Sequence, residues 1–173
     1  TDITAGTQIN LTITAPTGYY VSKSELNENP SKLTDQSNKL TISQEMPGTA
    51  LTINIYVYKV YKITYNRNNG SGDLPTEQYV AHGQTIELAD NNLKRTGYTA
   101  NGWSQDDNDS SEYANGATYR GTAGLDLYAA WNPLKITFKF NANGGSGEMT
   151  NQTLNYSATT DKATKVKANT FTY

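Results

Sequence analysis

A ten-residue stretch occurs twice in this chain, 75 positions apart. Tyr65-Asn66-Arg67-Asn68-Asn69-Gly70-Ser71-Gly72-Asp73-Leu74 returns as Phe140-Asn141-Ala142-Asn143-Gly144-Gly145-Ser146-Gly147-Glu148-Met149. Where the two copies differ, the exchanges include Tyr for Phe, Asp for Glu and Leu for Met, which keep chemistry and size. Self-similarity at a fixed period points to a tandem array of small structural units. The residues just upstream alternate apolar and polar in both copies: Val60-Tyr61-Lys62-Ile63-Thr64-Tyr65 and Leu134-Lys135-Ile136-Thr137-Phe138-Lys139-Phe140. That period of two is the signature of a half-buried strand. Each strand runs into an Asn/Gly/Ser cluster, where left-handed backbone is cheap for Gly and tolerable for Asn. Each unit therefore opens as strand, Gly-rich turn and returning strand.

The middle unit continues to a recognisable end. Gln78-Tyr79-Val80 and Gln84-Thr85-Ile86-Glu87-Leu88 are short strand runs, and Thr96 to Trp103 is an aromatic strand broken by Gly. Leu125-Asp126-Leu127-Tyr128-Ala129-Ala130-Trp131 closes the unit, and Asn132-Pro133 marks a junction. Residues 87–94 have room for a turn or two of helix. Residues 134–173 hold counterparts of the opening half only, without the Gly97-Tyr98 segment or the closing strand. Residues 1–60 read as four strands, 7–15, 19–26, 39–43 and 51–58, separated by Gly, Pro and Asn turns. The expected organisation is three modules, 1–60, 61–132 and 133–173, the last a truncated unit. The chain opens at Thr1 with neither an initiator Met nor a signal peptide, and is expected to be a fragment or mature segment.

Composition fits a mainly β protein. Only 17% of the 173 residues are charged, whereas there are 25 Thr, 19 Asn, 14 Gly and 13 Tyr, so strand and turn formers dominate. A net charge of −2 with no basic block gives no footprint for nucleic acid. No apolar run is long enough to insert in a membrane. The absence of cysteine excludes disulfides, thiolate metal sites and cysteine nucleophiles.

The middle unit resembles the internalin-type B-repeat family, also called the Listeria–Bacteroides repeat. Tyr65-Asn66, the Asn69-Gly70-Ser71-Gly72 turn, Arg95-Thr96-Gly97-Tyr98, Gly102-Trp103, Tyr113, Gly116 and the closing Leu127-Tyr128-Ala129-Ala130-Trp131 carry the resemblance. Ala100 departs from it, standing where the family usually has an aromatic. The N-terminal module is similar to a divergent unit of the same kind through Pro16-Thr17-Gly18-Tyr19, Val21, Asn27 and Met46-Pro47. The resemblance implies tandem small β-grasp-like modules, SUMO-related or mucin-binding-like, on secreted or surface-exposed bacterial proteins. Such repeats serve as spacers or adhesion modules without catalysis. It also implies that Tyr65, Tyr98, Trp103, Tyr128 and Trp131 are buried core residues.

Other chemistry is sparse. His82 is the only histidine and sits in a turn, so no two-histidine metal site exists. Asp106, Asn108 and Ser110 have the alternating oxygen spacing of a Ca²⁺ loop, but Ser111 stands where a Gly is needed and no bidentate Glu follows. The Gly-Ser-Gly turns join strands and lack the Lys and helix start of a phosphate cradle. The acids cluster in loops, and units this small leave little room for a cleft with paired carboxylates. No cofactor is expected. The aromatics nearest loops, Tyr19, Tyr20, Tyr113 and Tyr119, are the candidates for stacking on a sugar. The expected role is a non-enzymatic spacer or adhesion module, with a host surface protein, a glycan or neighbouring repeats as partners. The alternatives are a carbohydrate-binding module of a secreted enzyme and a self-associating surface-layer subunit. Self-association would run through edge strands of residues 134–173.

Overall fold

A computed structural model describes residues 3–22, 38–108, 110–157 and 166–173. Among them there is no helix, and the regular structure is eleven short strands, so the chain is mainly β. An antiparallel ribbon pairs β1 (Gln8–Thr14) with β3 (Lys39–Glu45). Next, β2 (Tyr19–Ser22) pairs antiparallel with the first part of β4 (Tyr56–Asn66). The second part of β4 pairs with β5 (Gln78–Ala81) on one edge and with β9 (Leu125–Pro133) on the other. Ile63 makes both edges visible, facing Gln78 in β5 and Leu125 in β9. The β4–β9 ladder is parallel, and β9 pairs antiparallel with β7 (Tyr98–Ser104). Across the middle unit the strand order is thus β5-β4-β9-β7, with a parallel central pair. A small sheet of β6 (Thr85–Glu87) and β8 (Thr118–Arg120) contributes Ile86 and Tyr119 to the packing. Finally β10 (Lys135–Phe138) pairs with β11 (Gln152–Asn155).

The core lies inside the middle unit. Ile63, Tyr65, Val80, Leu88, Leu93, Trp103, Leu125, Leu127, Ala129 and Trp131 form one buried cluster. Alternation explains the membership: Ile63 and Tyr65 share one face of β4, and Leu125, Leu127, Ala129 and Trp131 share one face of β9. Trp103 and Trp131 are fully enclosed, while Tyr98 and Tyr128 are only half-buried, contrary to the expectation for those two. Tyr98 stands at the end of β7, where Arg95 stacks over its ring at 4.0 Å.

Residues 87–94 form no helix because their N–H groups are engaged elsewhere. Leu88 donates to Ala117, Ala89 to the Tyr65 hydroxyl and Gln78, Asn91 to the Asn115 side chain, and Lys94 to Ser71. A helix over 87–94 would have to take the Asn91 and Lys94 N–H groups from these partners for its own ladder. The strand expected over 51–58 starts only at Tyr56, which pairs with Ser22 of β2. Of the return strand expected over 19–26, residues 23–26 lie outside the described residues, as does Asn27.

Both joints between modules are short. Strand β4 crosses the first without a break, and its buried side changes as it does so. Tyr56, Tyr58 and Val60 are half-buried in the first part, and Tyr61, Ile63 and Tyr65 take over in the second. Successive side chains point to opposite faces, so one strand serves both neighbours. At the second joint only Leu134 separates β9 from β10. Its N–H donates to the Gly97 carbonyl and its carbonyl accepts from Tyr156. The first joint has the same device, with Val60 donating to Gly18. Gly18 and Gly97 each sit in a Thr-Gly-Tyr turn with φ near +80° (82° and 79°), a conformation that favours glycine.

Candidate functional site

The two tryptophans organise a polar and aromatic network in the middle unit. The Trp103 ring packs 4.6 Å from Tyr65, centroid to centroid, and its indole N–H donates to the Ala89 carbonyl at 2.6 Å. The Trp131 indole N–H donates to the Asn68 carbonyl at 2.8 Å. Asn68 is 7% exposed and has φ of 43°, held by a bond from its own N–H to the Asn66 side chain. Its side-chain amide reaches across to the Ala129 carbonyl of β9 at 2.9 Å. Asn91 does the same for β7, donating to the Gly102 carbonyl at 2.8 Å. Polar groups this deep are tolerated because each is paired. The Asn/Gly turns therefore act as sockets for the closing strands.

Glycine is required at two points of this network. A Cβ on Gly70 would lie 2.4 Å from the Trp131 ring, and one on Gly102 would lie 2.1 Å from the Tyr113 carbonyl oxygen. Gly102 has φ of 79° and falls where the β7–β9 register shifts, between Ala100 and Trp103. The bulge lets Trp103 exchange both backbone bonds with Tyr113. Burial pushes the Tyr65 hydroxyl above its ordinary pKa, with the bond from the Ala89 N–H opposing in part. Burial likewise raises that of Tyr113, with its neighbours Tyr119 and Glu112 adding to the effect.

The stacking candidates fall into two separate places. Tyr113 and Tyr119 meet edge to face at 6.4 Å and are packed against the core, with the Tyr119 hydroxyl donating to the Ala123 carbonyl. Tyr20 pairs with Tyr58 across the β2–β4 ladder, ring centroids 6.4 Å apart, and Tyr19 beside it is exposed. His82 is an exposed turn residue whose Nδ1 lies 3.2 Å from the Tyr61 hydroxyl. Asp106, Asn108 and Ser110 lie exposed in the loop after β7. There the Asn108 side-chain oxygen accepts from the Ser110 N–H, and Ser104 Oγ accepts from the Asp106 N–H. Among the described residues no three of His, Cys, Asp and Glu converge on one point.

Sequence reasoning missed the two buried asparagines. Asn68 lies inside the duplicated turn, and its recurrence as Asn143 was the signal that could have found it. Asn91 has a counterpart too, in Asn169, without any obvious surrounding motif.

The model of the Listeria-Bacteroides repeat domain matches residues 61–130, the span from the start of the second half of β4 to within β9. No curated protein and no solved structure matches the chain. The family is a repeat domain of bacterial surface proteins. Residues 61–130, folded around Trp103 and Trp131, thus match the Listeria-Bacteroides repeat domain.

Proposed function

We propose that this chain is a non-enzymatic spacer segment of a bacterial surface protein, holding other domains at a set distance from the cell. The observation that carries the reading is the pair of joints. Strand β4 runs unbroken through one, and at the other the single connecting residue has both backbone groups hydrogen-bonded. Units coupled mainly to their neighbours make a quasi-linear array, which transmits position rather than chemistry. The strand order with its parallel central pair supports a β-grasp-like module in which a hydrogen-bonded loop, residues 88–97, stands in for the crossover helix.

Adhesion is the finer form of the same role, exercised on a host protein or glycan through exposed loops and strand edges. The test is an array of mucin-type glycans, cell-wall polysaccharides and matrix proteins, probed with the monomeric chain. A spacer leaves the array blank. Specific binding that disappears on Tyr19→Ala or Tyr20→Ala, with the melting temperature unchanged, would replace the spacer by a glycan-binding module.

A further inference from the structure

Asparagine is followed by glycine at four places in the chain, residues 69–70, 101–102, 115–116 and 143–144. In such a step the glycine nitrogen can attack the asparagine side-chain amide, because no Cβ hinders the backbone of the attacking residue. The structure treats the four steps differently. The Gly70 N–H is occupied, donating to the Arg67 carbonyl at 2.8 Å, and Gly70 is packed on the Trp131 ring. Gly102 is pressed against the Tyr113 backbone, and the Asn101 amide donates to the Asn132 side chain. Asn143 and Gly144 are exposed, and among the described residues nothing lies within 4 Å of a Cβ built on Gly144.

Asn115 and Gly116 are set differently. They form the centre of a turn in which Ala117 donates to the Ala114 carbonyl at 3.1 Å, and Gly116 has φ of 68°. Among the described residues no acceptor takes the Gly116 N–H. Glu87 Oε1 lies 3.1 Å from the place a Cβ on Gly116 would occupy, and Asp90 Oδ1 lies 3.9 Å from it. The Asn115 side-chain oxygen accepts from the Asn91 N–H at 2.9 Å. Asn115 is exposed, so its amide nitrogen can leave into water. A nucleophile, a base beside it and a donor on the oxygen that gains charge thus meet at one turn.

We propose that Asn115 is a self-modification site, where the turn converts its own asparagine to aspartate or isoaspartate. The Gly116 nitrogen attacks Asn115 Cγ while its proton passes to the Glu87 carboxylate. The Asn91 N–H stabilises the negative charge that develops on Asn115 Oδ1. The Cγ–Nδ2 bond then breaks, and the nitrogen departs as ammonia with the proton that Glu87 returns, leaving a cyclic succinimide. Water adds to one of the two succinimide carbonyls. Opening at the side-chain carbonyl gives aspartate, opening at the main-chain carbonyl gives isoaspartate, and nothing is oxidised or reduced. The product places a third carboxylate beside Glu87 and Asp90, where like charges repel. The isoaspartyl form also lengthens the main chain by a methylene and displaces the acceptor of the Asn91 N–H. Asn91 holds Gly102, so the conversion loosens the seat of β7.

The test is peptide mapping by mass spectrometry of the whole 173-residue chain aged at neutral pH, which reads ammonia lost for water gained at each asparagine. Position 115 is expected to convert first, ahead of 69, 101 and 143, and Glu87→Gln to slow it on the order of tenfold. Glu87 is exposed, so the variant is expected to keep the tryptophan-fluorescence melt of the parent chain. In urea, where the turn is lost, the four positions are expected to convert at comparable rates and Glu87→Gln to have no effect. Conversion at 115 no faster than at the exposed 143, or an unaltered rate in Glu87→Gln, overturns the proposal. So does a rank order that survives in urea, because the sequence alone then sets the rates. Converted chain, separated by anion exchange, is expected to melt at a lower temperature, and an unchanged melt overturns the loosening of β7.

Discussion

Asn68 ties two distant parts of the fold together. It adopts positive φ, accepts the Trp131 indole and donates to Ala129, thereby tying the turn after β4 to the closing strand 61 residues later. Asn68→Gly keeps the backbone freedom and loses the side-chain bonds to Ala129, Asp107 and Asn69, a cost of about 1–2 kcal/mol. Asn68→Ala adds the left-handed backbone penalty, for a total of about 2–4 kcal/mol. Urea melts followed by tryptophan fluorescence separate the two, and the glycine variant is expected to be the more stable. Tyr65 makes a second prediction. Its folded pKa lies above the ordinary value of 10.0, so above that pH the unfolded chain releases its proton first. Stability is therefore fully present below about pH 10 and falls as pH rises toward the folded pKa. Tyr65→Phe, the residue found at position 140, flattens that alkaline fall. It costs about 1 kcal/mol at neutral pH through lost bonds to Gln78 and Ala89. Thermal melts at neutral and alkaline pH check both halves.

The strands were readable because their alternation is strong and their ends are marked by Gly, Asn and Pro. β7 and β9 fall where the pattern of apolar residues places them, whereas β4 joins two runs that read as separate strands. Other features depend on partners far away in sequence. Residues 88–94 have no period of their own; their backbone is held by Ser71, Tyr65, Gln78, Ala117 and Asn115, from four other segments. Tyr98 and Tyr128 match family core positions yet remain half-buried, since a strand pattern names a face and not how completely it is covered. The bulge in β7 was legible only as a Gly inside an aromatic strand. At this level the clearest prediction is Gly102→Ala. A Cβ there meets the Tyr113 backbone at 2.1 Å, which no side-chain rotation relieves. A loss of about 3 kcal/mol or more is expected, seen as a collapse of the cooperative melt of the middle unit. A neutral substitution would mean that the bulge is not rigid.

For the whole molecule, the repeat offset of 75 points to tandem units, but not to how they are joined. The strand runs assigned to 51–58 and 60–65 read as the end of one module and the start of the next. In the structure residues 56–66 form one strand that buries opposite faces in its two parts. The proposed spacer role rests on that continuity. The absence of cysteine makes it directly measurable, because spin labels can be placed at will. Thr12 in β1 and Asn92 in the middle unit are both exposed, so cysteines there carry labels without disturbing a core. Pulsed electron–electron dipolar spectroscopy then reads the distance distribution between the two modules. Coupling through β4 predicts one narrow distribution, which broadens when a short Gly-Ser insertion is placed between Lys59 and Val60. A broad distribution in the uninterrupted chain, unchanged by the insertion, would contradict the account.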